Sequence, residues 1–482
     1  MIVQSRRLTS VAALTLLAGI AVTVLATEPA AASGPLRTHA ASKGKFIGLA
    51  AATGPLAGEA AYRTIAGAEF NQITAENAMK WDSTEPQDNN YTFGGADQIV
   101  AFAQANNQVV HGHTLVWHAQ TPGWVQGLSA TAMRAAMQDH ISRVAGRYAS
   151  NPAVQSWDVV NEVFNENGTF RQSFWFNTLG SGFIADAFRF ARAADPDARL
   201  CINDYNVEGI NDKSTAMYNL VQSLRSQGVP VDCVGFQAHL AVQFGFPGQF
   251  TQNIARFAAL GVQVRITELD VRIPLPADAN EIAAQNSFYS QVINGCLGSA
   301  ACAGVTIWGF TDRHSWVPGT FPGEGQALIY DANYNQKPAY TAVHDALAAG
   351  GGGGSTFNLV SSASNRCVDV SSASQSDGAG LIIWDCHTNA NQRWTQTAAN
   401  ELRVYNNSKC MDAGASQNGT RVTINSCNGG NSQKWTLNAN GTVVNVQSGR
   451  CLDVSGGGAA NNTPVIVWTC HGGSNQVWTR RS

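Results

Sequence analysis

Ser156-Trp157-Asp158-Val159-Val160-Asn161-Glu162 starts as a β-rich run and ends in two polar residues. Val264-Arg265-Ile266-Thr267-Glu268-Leu269-Asp270 is built the same way, closing on two carboxylates. Six further runs flank these two: Phe46–Ala52, Phe70–Ala75, Val109–Leu115, Leu200–Asn203, Val231–Phe236 and Gly304–Trp308. The eight starts are 24 to 47 residues apart, room for a helix and two loops each time, and helical stretches such as Ala132–Tyr148, Ile184–Ala194 and Asp212–Gln227 lie between them. Eightfold strand–helix alternation predicts an α/β chain whose first part is a (β/α)8 TIM barrel.

Polar residues gather where the runs end. Glu76, Asn77 and Lys80 follow the second; His113, Trp117, His118 and Gln120 the third; Asn203, Asp204 and Tyr205 the fifth; Gln237 and His239 the sixth; Trp308 closes the eighth. Barrel chemistry sits at the C-terminal ends of the strands, so this pattern marks a site. Two glutamates, Glu162 and Glu268, among indoles and neutral hydrogen-bonding groups suit glycosidic cleavage. That reaction needs an acid for the leaving oxygen and a carboxylate at the anomeric carbon. A barrel metal hydrolase is the rival reading, since His111, His113 and His118, with His239 and Asp270, have a metal-like look. No G-x-S-x-G elbow supports a serine hydrolase.

Of 482 residues, 44% are hydrophobic and 13% charged, with a net charge of −3. That balance excludes a disordered chain and carries no electrostatic footprint for nucleic acid. Arg6 and Arg7, the apolar run Val11–Ala26 and the small residues Ala30–Ser33 read as a signal peptide over 1–32. The run is too short to span a membrane, no later segment is apolar enough, and a secreted extracellular protein is expected. Secretion makes the ten cysteines readable as disulfides. Sequence does not fix their connectivity. The simplest reading pairs nearest neighbours: Cys201–Cys233, Cys296–Cys302, Cys367–Cys386, Cys410–Cys427 and Cys451–Cys470.

Five glycines at 350–354 lie within an expected flexible linker, 349–355, between a barrel domain at 38–348 and a C-terminal domain at 356–482. The latter repeats three times. Arg366-Cys367-Val368-Asp369 recurs as Lys409-Cys410-Met411-Asp412 and Arg450-Cys451-Leu452-Asp453, and each repeat ends in Gln-x-Trp, at Trp394, Trp435 and Trp478. Units of about 40 residues cannot bury a core singly, so the three share one, with these tryptophans inside it.

The repeat region resembles the ricin B-like β-trefoil, carbohydrate-binding module family 13. The resemblance implies an all-β trefoil and sugar pockets at Asp369, Trp384, His387, Asn391 and Gln392 in the first repeat, and at Asp453, Trp468, His471, Asn475 and Gln476 in the third. The second repeat keeps Asp412 and Gln433 but has Asn425 for the aromatic and Ser432 for the asparagine, so a weak or dead pocket is expected there.

The barrel region resembles glycoside hydrolase family 10, mainly endo-β-1,4-xylanases. The motifs are Trp157-Asp-Val-Val-Asn161-Glu162, Ile266-Thr-Glu268-Leu-Asp270, His113-Thr-Leu-Val-Trp117-His118-Ala-Gln120 and Thr74-Ala-Glu76-Asn77-Ala-Met-Lys80. The resemblance implies retention, with Glu162 as general acid/base and Glu268 as nucleophile about 5–5.5 Å away. It further implies Asn161 against the 2-hydroxyl or the nucleophile, and His239 on Glu268 with Asp270 orienting the ring. His113, Trp117, His118, Gln120 and Gln237 line the reacting subsite, Glu76, Asn77 and Lys80 the next glycone subsite, and Tyr205 with Asn203 the aglycone side. Trp308 is expected as floor and Trp316 as lid. Expected partners are xylan, xylo-oligosaccharides and insoluble plant cell-wall polysaccharide, with no cofactor, no metal, no nucleic acid and no membrane. A monomer is the default. A retaining enzyme acting on another β-1,4-glucan or a glycoconjugate is the alternative within the family.

Overall fold

The computed structural model describes residues 34–348, 356–397, 400–405, 408–438 and 440–481. The expected signal peptide and the glycine linker lie outside the described residues. Eight parallel strands close the barrel: β1 (Phe46–Ala51), β2 (Gln72–Ala75), β3 (Val109–Gly112), β4 (Val154–Asn161), β5 (Arg199–Asp204), β6 (Cys233–Phe236), β8 (Gln263–Pro274) and β9 (Cys302–Ile307). A short β7 (His239–Ala241) adds to β8, and β9 pairs with both β8 and β1, which closes the ring. Helices follow the strands, among them Ala130–Tyr148, Gly182–Ala194, Asp212–Ser226 and Ala279–Leu297.

Two runs depart from the sequence reading. The third stops at Gly112 rather than Leu115, leaving His113 to Gln120 in the loop above it. The seventh continues to Pro274, so Glu268 and Asp270 lie inside a strand rather than after one. The added length is used: Val271–Ile273 and Pro274 find partners in β7 and in Glu324–Gly325. At the other end, Leu36 is fully buried in the barrel core and its amide donates to Glu69, so the packed unit begins ahead of residue 38.

The barrel axis carries polar side chains, not only apolar ones. Arg265 donates to Gln72 and Gln72 to Thr306; higher up, His111 meets Ser156 and lies 3.0 Å from Asp158, which hydrogen-bonds His113 at 2.9 Å. Most buried polar groups are hydrogen-bonded, and the bonds in this column orient side chains through the barrel and up to the rim.

The described residues from 356 to 481 have a core of their own, built around Trp394, Trp435 and Trp478. Each indole N–H donates to a backbone carbonyl two strands earlier in its repeat, at Val368, Met411 and Leu452. Seven strands from Asn358 to Ser426, joined by Trp478–Arg481, form one antiparallel sheet, and the four between Trp435 and Trp468 form a second. All ten cysteines are paired: Cys201–Cys233, Cys296–Cys302, Cys367–Cys386, Cys410–Cys427 and Cys451–Cys470. Cys201 and Cys233 are register partners on β5 and β6.

Candidate active site

β4 delivers Asn161 and then Glu162, whose backbone turns left-handed at φ 57°. Two other non-glycine rim residues, Gln120 and Ala238, share that costly region, and such strain concentrates at functional sites. β8 delivers Glu268 and Asp270. The two glutamates are joined by a relay of amides. Gln237 donates to Glu162 (3.3 Å) and to Asn161 (3.2 Å), while Asn203 donates to Asn161 (3.0 Å) and to Glu268 (2.7 Å). The direct amide partner of Glu268 is therefore Asn203, which the sequence reading had placed on the aglycone side. Asn161 accepts from both amides and makes no hydrogen bond to Glu268.

Glu268 has a second partner. His239 meets it through Nε2 at 3.1 Å, and its Nδ1 meets Asp270 at 2.9 Å. Burial opposes a charge on His239, yet Asp270 and Glu268 outweigh it and raise the imidazole to about 10. Burial likewise raises Glu268, but His239 and the nearby His113 more than offset it, so the carboxylate is held below its ordinary range. A carboxylate kept ionised beside an imidazolium is able to act as a nucleophile. Trp316 is less free than a lid: its Nε1 donates to Asp270 at 2.8 Å and its ring packs edge-on against His239. Trp308, nearly buried, meets His113 and His239 edge-on.

Glu162 has different company. His118 and Arg171 both lie 4.0 Å from Oε2. Burial, helped by Arg171, lowers His118 to about 4, so this imidazole is neutral near pH 7. Arg171 also donates from Nε to the Glu162 carbonyl and from a terminal nitrogen to the Tyr205 hydroxyl. Arg171 lies in an irregular loop, and no pattern in the sequence marked it.

On the far side Lys80 donates to Asn77 (2.9 Å) and Gln120 (2.7 Å) and sits over the Trp117 ring. Burial lowers Lys80 and raises Glu76, each partly countered by the other's charge. The structure thus brings Glu76, Asn77, Lys80, Trp117 and Gln120 into one cluster. His111 and His113 both turn onto Asp158, and among the described residues no three His, Cys, Asp or Glu side chains converge as ligands for a metal ion.

In the C-terminal region, Asp369 accepts from Asn391 (2.8 Å) and Gln392 (2.7 Å), with His387 at 3.4 Å and Trp384, 37% exposed, on the paired strand. Asp453, Asn475, Gln476, His471 and Trp468, 41% exposed, repeat that arrangement. In the second repeat Asn425 donates to Asp412 at 3.2 Å and holds the register position that Trp384 and Trp468 hold in the other two.

Two carboxylates linked by amides and flanked by indoles on a barrel rim define a glycoside hydrolase. The chain belongs to glycosyl hydrolase family 10, whose profile matches residues 35–346, and the profile of the ricin-type beta-trefoil lectin domain matches 355–478. Endo-1,4-beta-xylanase of Agaricus bisporus is 46% identical over 314 residues, 64% of this chain and 93% of that protein. Endo-1,4-beta-xylanase B of Thermotoga neapolitana is 42% identical over 318 residues, 65% of this chain and 91% of that one. Among solved structures, xylanase 10B from Thermotoga petrophila in complex with xylobiose superposes with a TM-score of 0.63 at 42% identity, covering 65% of this chain and 97% of that chain.

Proposed function

We propose that this protein is a secreted endo-β-1,4-xylanase that cuts internal xylosidic bonds of xylan with retention and docks on polysaccharide through its C-terminal domain. The observation that carries the chemistry is the ionised setting of Glu268, joined to Glu162 through the amides of Asn203, Asn161 and Gln237. Glu268 is held anionic by His239 and oriented by Asn203, as a nucleophile must be. Glu162 meets a neutral imidazole and an amide, with the Arg171 guanidinium 4.0 Å from its Oε2, and serves as acid and then base. Glu268 attacks the anomeric carbon while Glu162 protonates the departing oxygen; Glu162 then deprotonates the water that releases the glycosyl group from Glu268.

Glu76, Asn77, Lys80 and Gln120 read the hydroxyls of the next glycone sugar, with Trp117 beneath it. Tyr205 serves the aglycone side. Xylose lacks a 6-hydroxymethyl group, and the fixed Trp308 and Trp316 leave the reacting subsite closed to glucose polymers. The Asp369 and Asp453 pockets dock the enzyme on insoluble polymer. The leader at 1–32 and the five disulfides support export, and among the described residues no helix is long and apolar enough to cross a membrane. Product analysis on xylan beside carboxymethylcellulose tests the reading. Xylo-oligosaccharides from the first and almost nothing from the second are expected; comparable release from both would overturn the specificity.

A further inference from the structure

Beneath Glu162 lies a buried ion pair that the chemistry above leaves unused. Lys213 is fully buried, with its ammonium 3.1 Å from Asp204, itself fully buried, 3.1 Å from Glu166 and 3.2 Å from the centre of the Tyr205 ring. Its position is doubly unfavourable. Lys213 occupies the first turn of helix Asp212–Ser226, where the backbone dipole repels a cation, and burying any charge is costly without close partners.

The partners lead to the acid/base glutamate. Asp204 accepts the Phe164 amide (3.3 Å) and the Tyr205 amide (3.0 Å), while the Glu162 amide donates to the Asn203 carbonyl (2.9 Å). From the other side Arg171 holds the Glu162 carbonyl (3.0 Å), the Phe164 carbonyl (3.4 Å) and the Tyr205 hydroxyl (2.9 Å). The segment 162–164, left-handed at its first residue, is therefore clamped on one side by Asp204 and on the other by Arg171. Burial pushes Asp204 up to about 7; Lys213 draws it down and the charge of Glu162 pushes it up, so the two carboxylates are coupled electrostatically.

We propose that Lys213 is a positioning residue: by fixing the Asp204 carboxylate it holds the strained Glu162–Phe164 segment in the geometry that points the Glu162 carboxyl at the leaving oxygen. The proposal rests on Glu162 being the acid/base. The test measures kcat/KM of the full-length protein on aryl β-xylobiosides whose leaving groups range from dinitrophenol to phenol, for the parent and for Lys213→Met, Asp204→Asn and Glu162→Ala. A good leaving group needs no proton, so a misplaced acid shows only with poor ones. Lys213→Met and Asp204→Asn are expected within about threefold of the parent on the dinitrophenyl substrate and down about tenfold or more on the phenyl one, part of the roughly 10²–10⁴ that general acid catalysis supplies. An equal loss across the series, or none, overturns the proposal. Should Lys213→Met not fold, Lys213→Gln and Asp204→Asn decide it by the same slope. If Glu162→Ala itself shows no dependence on leaving group, the acid/base reading is what fails.

Discussion

Glu268 sits where an isolated carboxylate would take up a proton, and His239 reverses that. The imidazole is raised to about 10 only because Asp270 and Glu268 face it, so removing it acts on both stability and rate. His239→Asn leaves Glu268 without its cation, and an opposite charge at this range moves a carboxylate by about 1–3 units. The acid limb of kcat/KM is therefore expected to rise by about one unit or more in a pH–rate profile. The stability consequence has the opposite pH sense. A raised imidazole contributes stability that is fully present below its unfolded value near 6.5 and lost as pH climbs through about 10. Denaturant midpoints between pH 6 and 10 should fall steeply in the parent and less in the variant. The two glutamates also separate by substrate. Glu268→Ala abolishes turnover on every glycoside, whereas Glu162→Ala spares the first step for an activated aryl leaving group. Equal loss in both on that substrate would contradict their roles.

β5 and β6 show how a backbone choice reaches the chemistry. A Cβ on Gly235 would lie 2.1 Å from Asn203 Oδ1, the atom that accepts from Thr267 while Nδ2 of the same side chain holds Glu268. Gly235→Ala is expected to cost about 1–3 kcal/mol, the usual range for overpacking, and to lower kcat by displacing Asn203. Thermal melts and steady-state kinetics on one preparation check both effects. Gly235 was legible only as one letter in a β-rich run, and the same limit explains the other omissions. Strand alternation and the polar residues at run ends were visible because both are local patterns, and they led to Glu162, Glu268, His239 and Asp270. Asn203 stood in one of those ends, but its partner could not be read, because whether a side chain meets β4 or β8 depends on barrel register. Arg171, Asp204 and Lys213 come together only once a loop, the end of β5 and the first turn of helix Asp212–Ser226 have met beside Glu162. The continuation of β8 to Pro274 was hidden too, since it depends on pairing with β7 and Glu324–Gly325.

The C-terminal domain repeats one polar design three times and departs from it once. Trp384 and Trp468 keep an exposed ring beside a bonded aspartate, while Asn425 fills that place in the second repeat. Trp384→Ala with Trp468→Ala should lower retention on insoluble xylan about tenfold or more in a pull-down assay, because two tethered contacts reinforce each other. Turnover of soluble xylo-oligosaccharides should stay unchanged, and Asp412→Ala should bind like the parent. The barrel's part of the account depends on Glu162 and Glu268 working on one anomeric centre, with a covalent bond to the latter. An activated 2-deoxy-2-fluoro-xylobioside slows release of that intermediate enough for peptide mass spectrometry to find it. One fluoroxylobiosyl group per chain is expected on the peptide carrying Glu268, at the Glu268 side chain. Label on any other residue, or inactivation without covalent label, would contradict it.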